Sequence, residues 1–264
     1  MSADAWFDFR ATHGFARAYL HTYYSGPPPL DEQVVSRFLV RQARRLRGGA
    51  FVEIGCGPTI HHALPIVTHV DAIHLLDYLP ENRHELELWR RAAPTAHAWE
   101  AFTKMSLTDA GVEPTPAAVA AREALLRARI ARVGACNLLQ PTPAADVGAF
   151  AAVGCFYCAE EVGISKAAWA EVMARVAAYV SPGGTLFVAA LAGMDTYRVE
   201  DALGHATELP CANIAADDLR ALLPELGFPL AAACIEQHDI PHPDVGVTGT
   251  ILVAATKAGA PVSA

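Results

Sequence analysis

The residues from 50 to 59, Ala-Phe-Val-Glu-Ile-Gly-Cys-Gly-Pro-Thr, carry the chain's densest chemical signal. An apolar run containing one acid, Glu53, enters a Gly55-x-Gly57 turn, as a buried parallel strand enters a cofactor-binding loop. The first glycine permits a tight turn, and the second lets a ligand lie against bare backbone. A dinucleotide loop wants a third glycine, and Ile60 stands in that place. Asp77 follows Gly55 by twenty-two residues, at the end of a second apolar run. A carboxylate there accepts both hydroxyls of a ribose. Glu53 would repel a pyrophosphate but suits a cationic group such as an amino acid's ammonium. A ribose at one end and a positive charge at the other describe S-adenosylmethionine.

Other residues could do chemistry elsewhere. Glu160 and Glu161 follow a third apolar run. A carboxylate there can orient an amine, directly or through water, and a solvated pair opening the next loop is the other reading. Asp195 is open between a substrate contact and loop surface. His238, Asp239, His242 and Asp244 form a polar loop before the last strand; it borders a pocket or is simply exposed. Cys155-x-x-Cys158 has redox or half-zinc spacing, but it overlaps a strand end and no second pair matches it. His61, His62, His69 and His74 cross a helix and a loop without a common face, so no metal site is expected. Arg41, Arg44, Arg45 and Arg47 sit at the end of a helical pattern, where cations favour the dipole.

The elements that must position these groups follow from periodicity. The 264 residues are 53% hydrophobic, enough for one large core and a single domain over 1–264. Asp31 can cap a helix with Val34, Val35, Phe38, Leu39 and Leu46 inward. Strands are expected at 50–54, 72–76, 149–157, 185–190, 230–237 and 249–256. Helices are expected after Pro58, over 80–91 and 116–133, after Ser165, and from Asp217 or Asp218 to Gly227. Residues 97–112 read as irregular. Pro182-Gly183-Gly184 ends a helix. Alternating strand and helix, with two strands adjacent at the end, predict an α/β doubly wound sheet, largely parallel, with an antiparallel C-terminal edge. The arm 1–30 holds Trp6, Phe7, Phe9, Phe15, Tyr19, Tyr23 and Tyr24, too much apolar surface for a free tail.

Composition excludes several classes. A formal net charge of -8 leaves little excess of basic charge for the basic face that nucleic-acid binding needs. The longest uncharged stretch, 176–194, is broken by Ser181-Pro182-Gly183-Gly184, so no membrane span is expected. Residues 1–10 contain Asp4, Asp8 and Arg10, without the apolar core of a signal peptide. Six cysteines show no disulfide framework, and a reducing cytoplasm is the expected setting.

Four blocks, in order, carry a family resemblance. Glu53 to Ile60 resembles the Asp-Ile-Gly-Ser-Gly-Pro-Thr loop of the nicotinamide, phenylethanolamine and indolethylamine N-methyltransferases. Tyr19-Leu20-His21-Thr22-Tyr23-Tyr24 resembles the family's Tyr-Leu-x-x-Tyr-Tyr. Asp77-Tyr78-Leu79-Pro80-Glu81-Asn82, with Trp89 beyond, is similar to its second-strand segment. Pro182-Gly183-Gly184 and the closing strand fall in register. The resemblance implies a Rossmann-like methyltransferase sheet of about seven strands, with 1–30 as a lid.

It also implies roles. Tyr19 and Tyr24 would cover the cofactor, with Tyr19 also beside the reacting atoms. Glu53, Gly55, Cys56, Gly57 and Thr59 would hold the methionine part, and His61 stands where an aromatic tyrosine is usual. Asp77 would hold the ribose, with Tyr78, Asn82, Asn137, Leu138 and Phe156 along the cofactor. Asn137 departs from the family's usual aspartate, though its amide can still bond an adenine nitrogen. Glu160, with Glu161, Asp195 and Tyr197, would face the substrate. Ala190 replaces the aspartate that holds a carboxamide in nicotinamide-methylating relatives, which argues against nicotinamide. The expected activity is methylation of nitrogen in a small amine or heteroaromatic compound, by a monomer or weak homodimer. Transfer to oxygen or carbon, or a non-catalytic cofactor-binding subunit, are the alternatives.

Overall fold

The computed structural model describes residues 15–200, 206–240 and 246–259. They fall into two compact units. One comprises 15–136 with short pieces around 199–207, and the other comprises 137–198 and 208–259.

In the N-terminal unit, β1 (Ala50–Ile54), β2 (Ala72–Asp77) and β3 (Ile130–Ala135) run in the order β3-β2-β1. All three are parallel. The register sets Ile54 beside Leu76 and Asp77 beside Ala135. The residues that leave the carboxyl ends of β1 and β2 therefore emerge together, the usual ligand edge of a parallel sheet. Five helices belong to this unit: α1 (Phe15–Tyr24), α2 (Leu30–Ala43), α3 (Pro80–Arg90), α4 (Glu100–Asp109) and α5 (Pro116–Arg129). On α3, Leu86 and Trp89 are buried as expected. The four arginines closing α2 are exposed, and Arg47 donates to the carbonyls of Arg44 and Leu46, as a cation at a helix end does.

In the C-terminal unit, β4 (Phe150–Phe156) and β5 (Val180–Ala192) are parallel, while β8 (Ala233–His238) and β9 (Gly249–Thr256) close the edge in the order β4-β5-β9-β8. β9 runs antiparallel to both neighbours. Three helices join them: α6 (Ala159–Val162), α7 (Lys166–Ala178) and α8 (Ala216–Glu225). Ser165 caps α7 by accepting from the Ala168 amide, and Asp218 accepts from the Ala215 amide at the start of α8. β6 (Thr196–Glu200) and β7 (Ala206–Pro210) form a separate two-stranded sheet that periodicity did not announce. The seven longer-order strands give the mixed, mostly parallel α/β class that the sequence pattern predicts.

Five local expectations need correction. No α-helix follows Pro58; two 3-10 turns, His61–Ala63 and Val67–His69, take its place. Pro65, between them, lacks the amide that a helix would use there. The helix expected over 116–133 stops at Arg129, and Ile130–Ala135 is β3. Its Ala and Arg residues favour helix, but pairing with β2 wins. Residues 100–109, read as irregular, form α4; buried Thr103 and Ser106 disguise its inward face. Asp31 lies inside the first turn of α2, and the residue before the helix is Pro29. Pro182-Gly183-Gly184 lies within β5, where the register against β4 shifts. Gly183, at φ +77°, sends its amide to the Lys257 carbonyl, so a turn signature has become a bulge.

Candidate active site

The loop after β1 is drawn tight by backbone bonds. The Gly55 and Cys56 amides both donate to the Leu76 carbonyl, at 2.8 and 3.2 Å. Gly55 and Gly57 have φ of +72° and +60°, a region that a side chain makes costly. A Cβ on Gly57 would meet nothing within 4 Å, so the space over this glycine is open. The Thr59 hydroxyl donates to the Cys56 carbonyl at 2.8 Å. Cys56 is buried, and burial pushes its thiol well up, ahead of the nearby Asp77 charge; it is a packing residue of the loop.

Asp77 ties this loop to the start of α3. Its Oδ2 accepts from the Gly57 amide at 2.8 Å, and its Oδ1 accepts from the Leu79 amide at 2.8 Å and the Asn82 side chain at 2.9 Å. Burial raises its carboxyl, and these three donors oppose the shift. An ionised carboxylate has about four acceptor sites, so one direction remains open on Asp77. Asn82 is buried, and its Oδ1 lacks a hydrogen-bond partner. Glu53 is 1% exposed; its Oε1 meets His62 Nδ1 at 2.9 Å, while Oε2 is buried without a hydrogen-bond partner. Unpaired acceptors are costly. Those at Asn82 and Glu53, with Asp77 nearby in the same loop system, fit a ligand with hydroxyls at one end and an ammonium at the other. Tyr78 is half-buried beside them.

The arm packs where this unit can use it. Arg17 pairs with Glu85 at 2.6 Å. The Tyr24 ring lies 5.0 Å from His61, 5.3 Å from Trp99 and 5.5 Å from Phe102. The Tyr19 ring lies tilted against Tyr24 at 5.5 Å, their hydroxyls 3.3 Å apart. Each such ring pair adds about 1 kcal/mol beyond burial. Under the rings, Glu32 of α2 meets both histidines: Oε1 lies 3.0 Å from His61 Nε2, and Oε2 lies 3.2 Å from His62 Nε2. Burial would raise the Glu32 carboxyl, but His61 and His62 hold it well below its usual range. Burial would lower His62, yet Glu32 and Glu53 together push it up to about 10. Burial lowers His61 to about 4 despite Glu32. The sequence reading named neither Glu32 nor His62 as a site residue. The signal missed was a carboxylate thirty residues away on another element.

The C-terminal unit holds a different kind of group. Glu160, in α6, is 1% exposed. Its Oε1 accepts from the Leu191 amide at the end of β5, at 3.0 Å. Burial pushes its carboxyl up to about 7, against that hydrogen bond and one from its own backbone. Glu161 is also shifted well up, first by burial and then by Glu160. Tyr157, just after β4, has φ +48°, strain that functional edges often carry. Its hydroxyl lies 3.4 Å from Thr250 Oγ1 on β9; neither residue stood out in the sequence. Phe156 is buried at the end of β4. Asn137 uses its Oδ1 to accept the Leu139 amide at 2.9 Å. Leu138 is buried and its carbonyl accepts from Arg175. Asp195 is exposed and held by Asn213 at 2.8 Å. Tyr197 lies in β6, its side chain outside the described residues, as are His242 and Asp244. Ala190 is buried in β5, opposite Ile251. Cys155 and Cys158 are both free thiols.

Known proteins place this arrangement. Two solved structures share the fold: a DhpI complex with S-adenosylhomocysteine, at TM-score 0.54 and 14% identity over 94% of this chain and 98% of that one, and the CcbJ methyltransferase from Streptomyces caelestis, at TM-score 0.52 and 14% identity over the same shares. The fold is that of S-adenosylmethionine-dependent methyltransferases. The NNMT/PNMT/TEMT family model matches residues 9–258, and the chain belongs to that family. Indolethylamine N-methyltransferase of Oryctolagus cuniculus is 27% identical over 82% of each chain. Phenylethanolamine N-methyltransferase of Rattus norvegicus is 31% identical over 54% of this chain and 51% of its own length.

Proposed function

We propose that the protein methylates a nitrogen of a small amine or N-heteroaromatic metabolite, with S-adenosylmethionine as donor. When bound, that cofactor supplies an electrophilic methyl group on a sulfonium. The observation that carries the reading is the pair of buried, unpartnered acceptors, Glu53 Oε2 and Asn82 Oδ1, flanking an Asp77 carboxylate with room for one more donor. Asp77 and Asn82 would hold ribose hydroxyls, and Glu53 with the bare backbone at Gly55 and Gly57 would hold the ammonium end. Cys56 and Thr59 keep that loop closed. Tyr78, Asn137, Leu138 and Phe156 would lie along the adenosine. Tyr19, Tyr24 and His61 would exclude water over the reacting end, with residues 1–30 as lid and 1–264 acting as one catalytic domain.

Methyl transfer asks the protein chiefly for alignment and a dry pocket. An alkyl amine must also arrive neutral or give up a proton. Glu160, with a carboxyl held near 7, can accept that proton at neutral pH and orient the nitrogen. Glu161, Asp195 and Tyr197 would border the acceptor. Ala190 offers no carboxylate for a carboxamide, so nicotinamide should be a poor acceptor. A soluble cytoplasmic monomer or weak homodimer, with no nucleic acid or membrane partner, completes the reading; among the described residues no helix is long and apolar enough to cross a membrane.

The test is thermal unfolding with S-adenosylhomocysteine or NAD, followed by an amine panel with product masses. At about 100 times its dissociation constant, the homocysteine product should stabilise by about 2.7 kcal/mol and NAD by nothing measurable. The reverse pattern would remove the cofactor assignment. Methylated oxygen or carbon, with no N-methyl product, would remove the acceptor assignment.

A further inference from the structure

We propose that Glu32, His61 and His62 form a binding site for one divalent transition-metal ion of the zinc class, which fastens α2 to the loop after β1. All three side chains are buried. One ligand atom from each lies within 4.8 Å of the other two. Glu32 presents Oε1 at 3.0 Å from His61 Nε2 and Oε2 at 3.2 Å from His62 Nε2. Nitrogen and oxygen ligands held about 2.1 Å from a tetrahedral zinc ion stand roughly 3.4 Å from each other, so little movement is needed to admit one.

Three further features mark this as a built site. First, neither ring nitrogen of His61 makes a hydrogen bond, although Nε2 is close to Glu32. His62 Nε2 is bonded to the other Glu32 oxygen at 3.2 Å, so the carboxylate faces both rings at once. Second, His62 turns Nδ1 onto Glu53 Oε1 at 2.9 Å. A carboxylate behind the ring is the partner that fixes the tautomer of a metal-bound histidine and leaves Nε2 as ligand. Third, the charges balance. Glu32 and Glu53 are both buried, and one dication with two neutral imidazoles offsets two carboxylates. Two imidazoles and a carboxylate favour zinc over magnesium or calcium. The Tyr24 hydroxyl, 3.3 Å from Glu32 Oε1, offers a fourth oxygen. The surrounding Tyr24, Trp99 and Phe102 rings close the site, as a structural ion requires.

Binding would place the ion one side chain away from Glu53, and so would set the acid that faces the cofactor loop. The alternative is a metal-free network in which a protonated His62 is shared by two carboxylates. The full chain should be stripped with a chelator, reloaded with Zn²⁺ or Co²⁺, passed through gel filtration and assayed for metal. Wild type and a His69→Ala control should each keep about one equivalent, and Glu32→Gln and His61→Phe under about a tenth. Chelation should lower the melting temperature of wild type and leave that of His61→Phe unchanged. The Co²⁺ protein should show the intense visible bands of a tetrahedral site. Less than a tenth of an equivalent on wild type, or equal retention by His61→Phe, overturns the proposal. Should both variants fail to fold, the cobalt spectrum and the chelation melt of wild type decide it alone.

Discussion

The loop of the N-terminal unit and the carboxyl pair of the C-terminal unit both bury acid, and burial raises the carboxyls of Asp77, Glu53 and Glu160 alike, but the two regions partner them differently. Asp77 receives three donors from residues within twenty positions of it, and Glu53 and Glu32 are met by histidines. Glu160 is bonded by the Leu191 amide and by its own backbone, and burial outweighs both to push its carboxyl up to about 7. An acid held by several donors from its own loop is a fixed acceptor, suited to hold a ligand in one place. An under-satisfied acid changes charge near working pH, suited to take a proton from a substrate.

The largest test of that contrast is Glu160→Gln. Glutamine keeps the acceptor for the Leu191 amide but cannot take a proton, so turnover of an alkyl amine should fall about 10²–10⁴-fold. Cofactor affinity, measured by titration calorimetry, should stay within about two-fold. Undiminished turnover would place the chemistry elsewhere.

Stability against pH gives a second effect, of opposite sign to the first. The Glu160 carboxyl titrates near 4.5 when unfolded and about 7 when folded, so folding favours its protonated form. Its contribution is complete below pH 4.5 and is lost as pH rises through 7, by up to about 3 kcal/mol. Glutamine suffers no such loss. Denaturant unfolding at pH 5 and pH 8 should show Glu160→Gln gaining on wild type at the higher pH. A gap that does not widen would mean that Glu160 is ionised throughout.

On the receptor side, Asp77→Asn keeps the volume and one acceptor but removes the charge. Affinity for S-adenosylhomocysteine should drop roughly 10–100-fold, the worth of a charged hydrogen bond, with the pH profile of turnover unmoved. A shifted profile would blur the division between the two regions. The smallest effect should come from Thr59→Val. Losing the 2.8 Å bond to the Cys56 carbonyl should cost about 1 kcal/mol of stability and a few-fold in cofactor affinity, read by thermal melts and calorimetry.

Much of the geometry around the β1 loop was legible because its parts lie close in sequence. Glycines at positive φ, an acid closing the next strand and Asn82 one helical turn into α3 all answer to local geometry. Helix and strand identity failed where local preference and tertiary pairing disagreed. The alanine-rich segment 116–135 reads as one helix until β2 claims its last six residues. Pro65 is the local reason that no helix follows the loop, and the pattern was overruled by one missing amide. On the acceptor side, Glu160 was visible as a type and a position. Its partner, a backbone amide thirty-one residues later, carries no sequence mark at all.

By itself, then, the sequence determined the class of fold, the glycine turn after β1 and the family, because each rests on short-range spacing that sterics and hydrogen bonding make nearly obligatory. Only the tertiary structure decided which acids are buried and which partners meet them. It also decided that His61 and His62 converge on Glu32 and not on His69 or His74. Charge state and ligand geometry depend on burial and on neighbours from other elements, and the linear chain records neither.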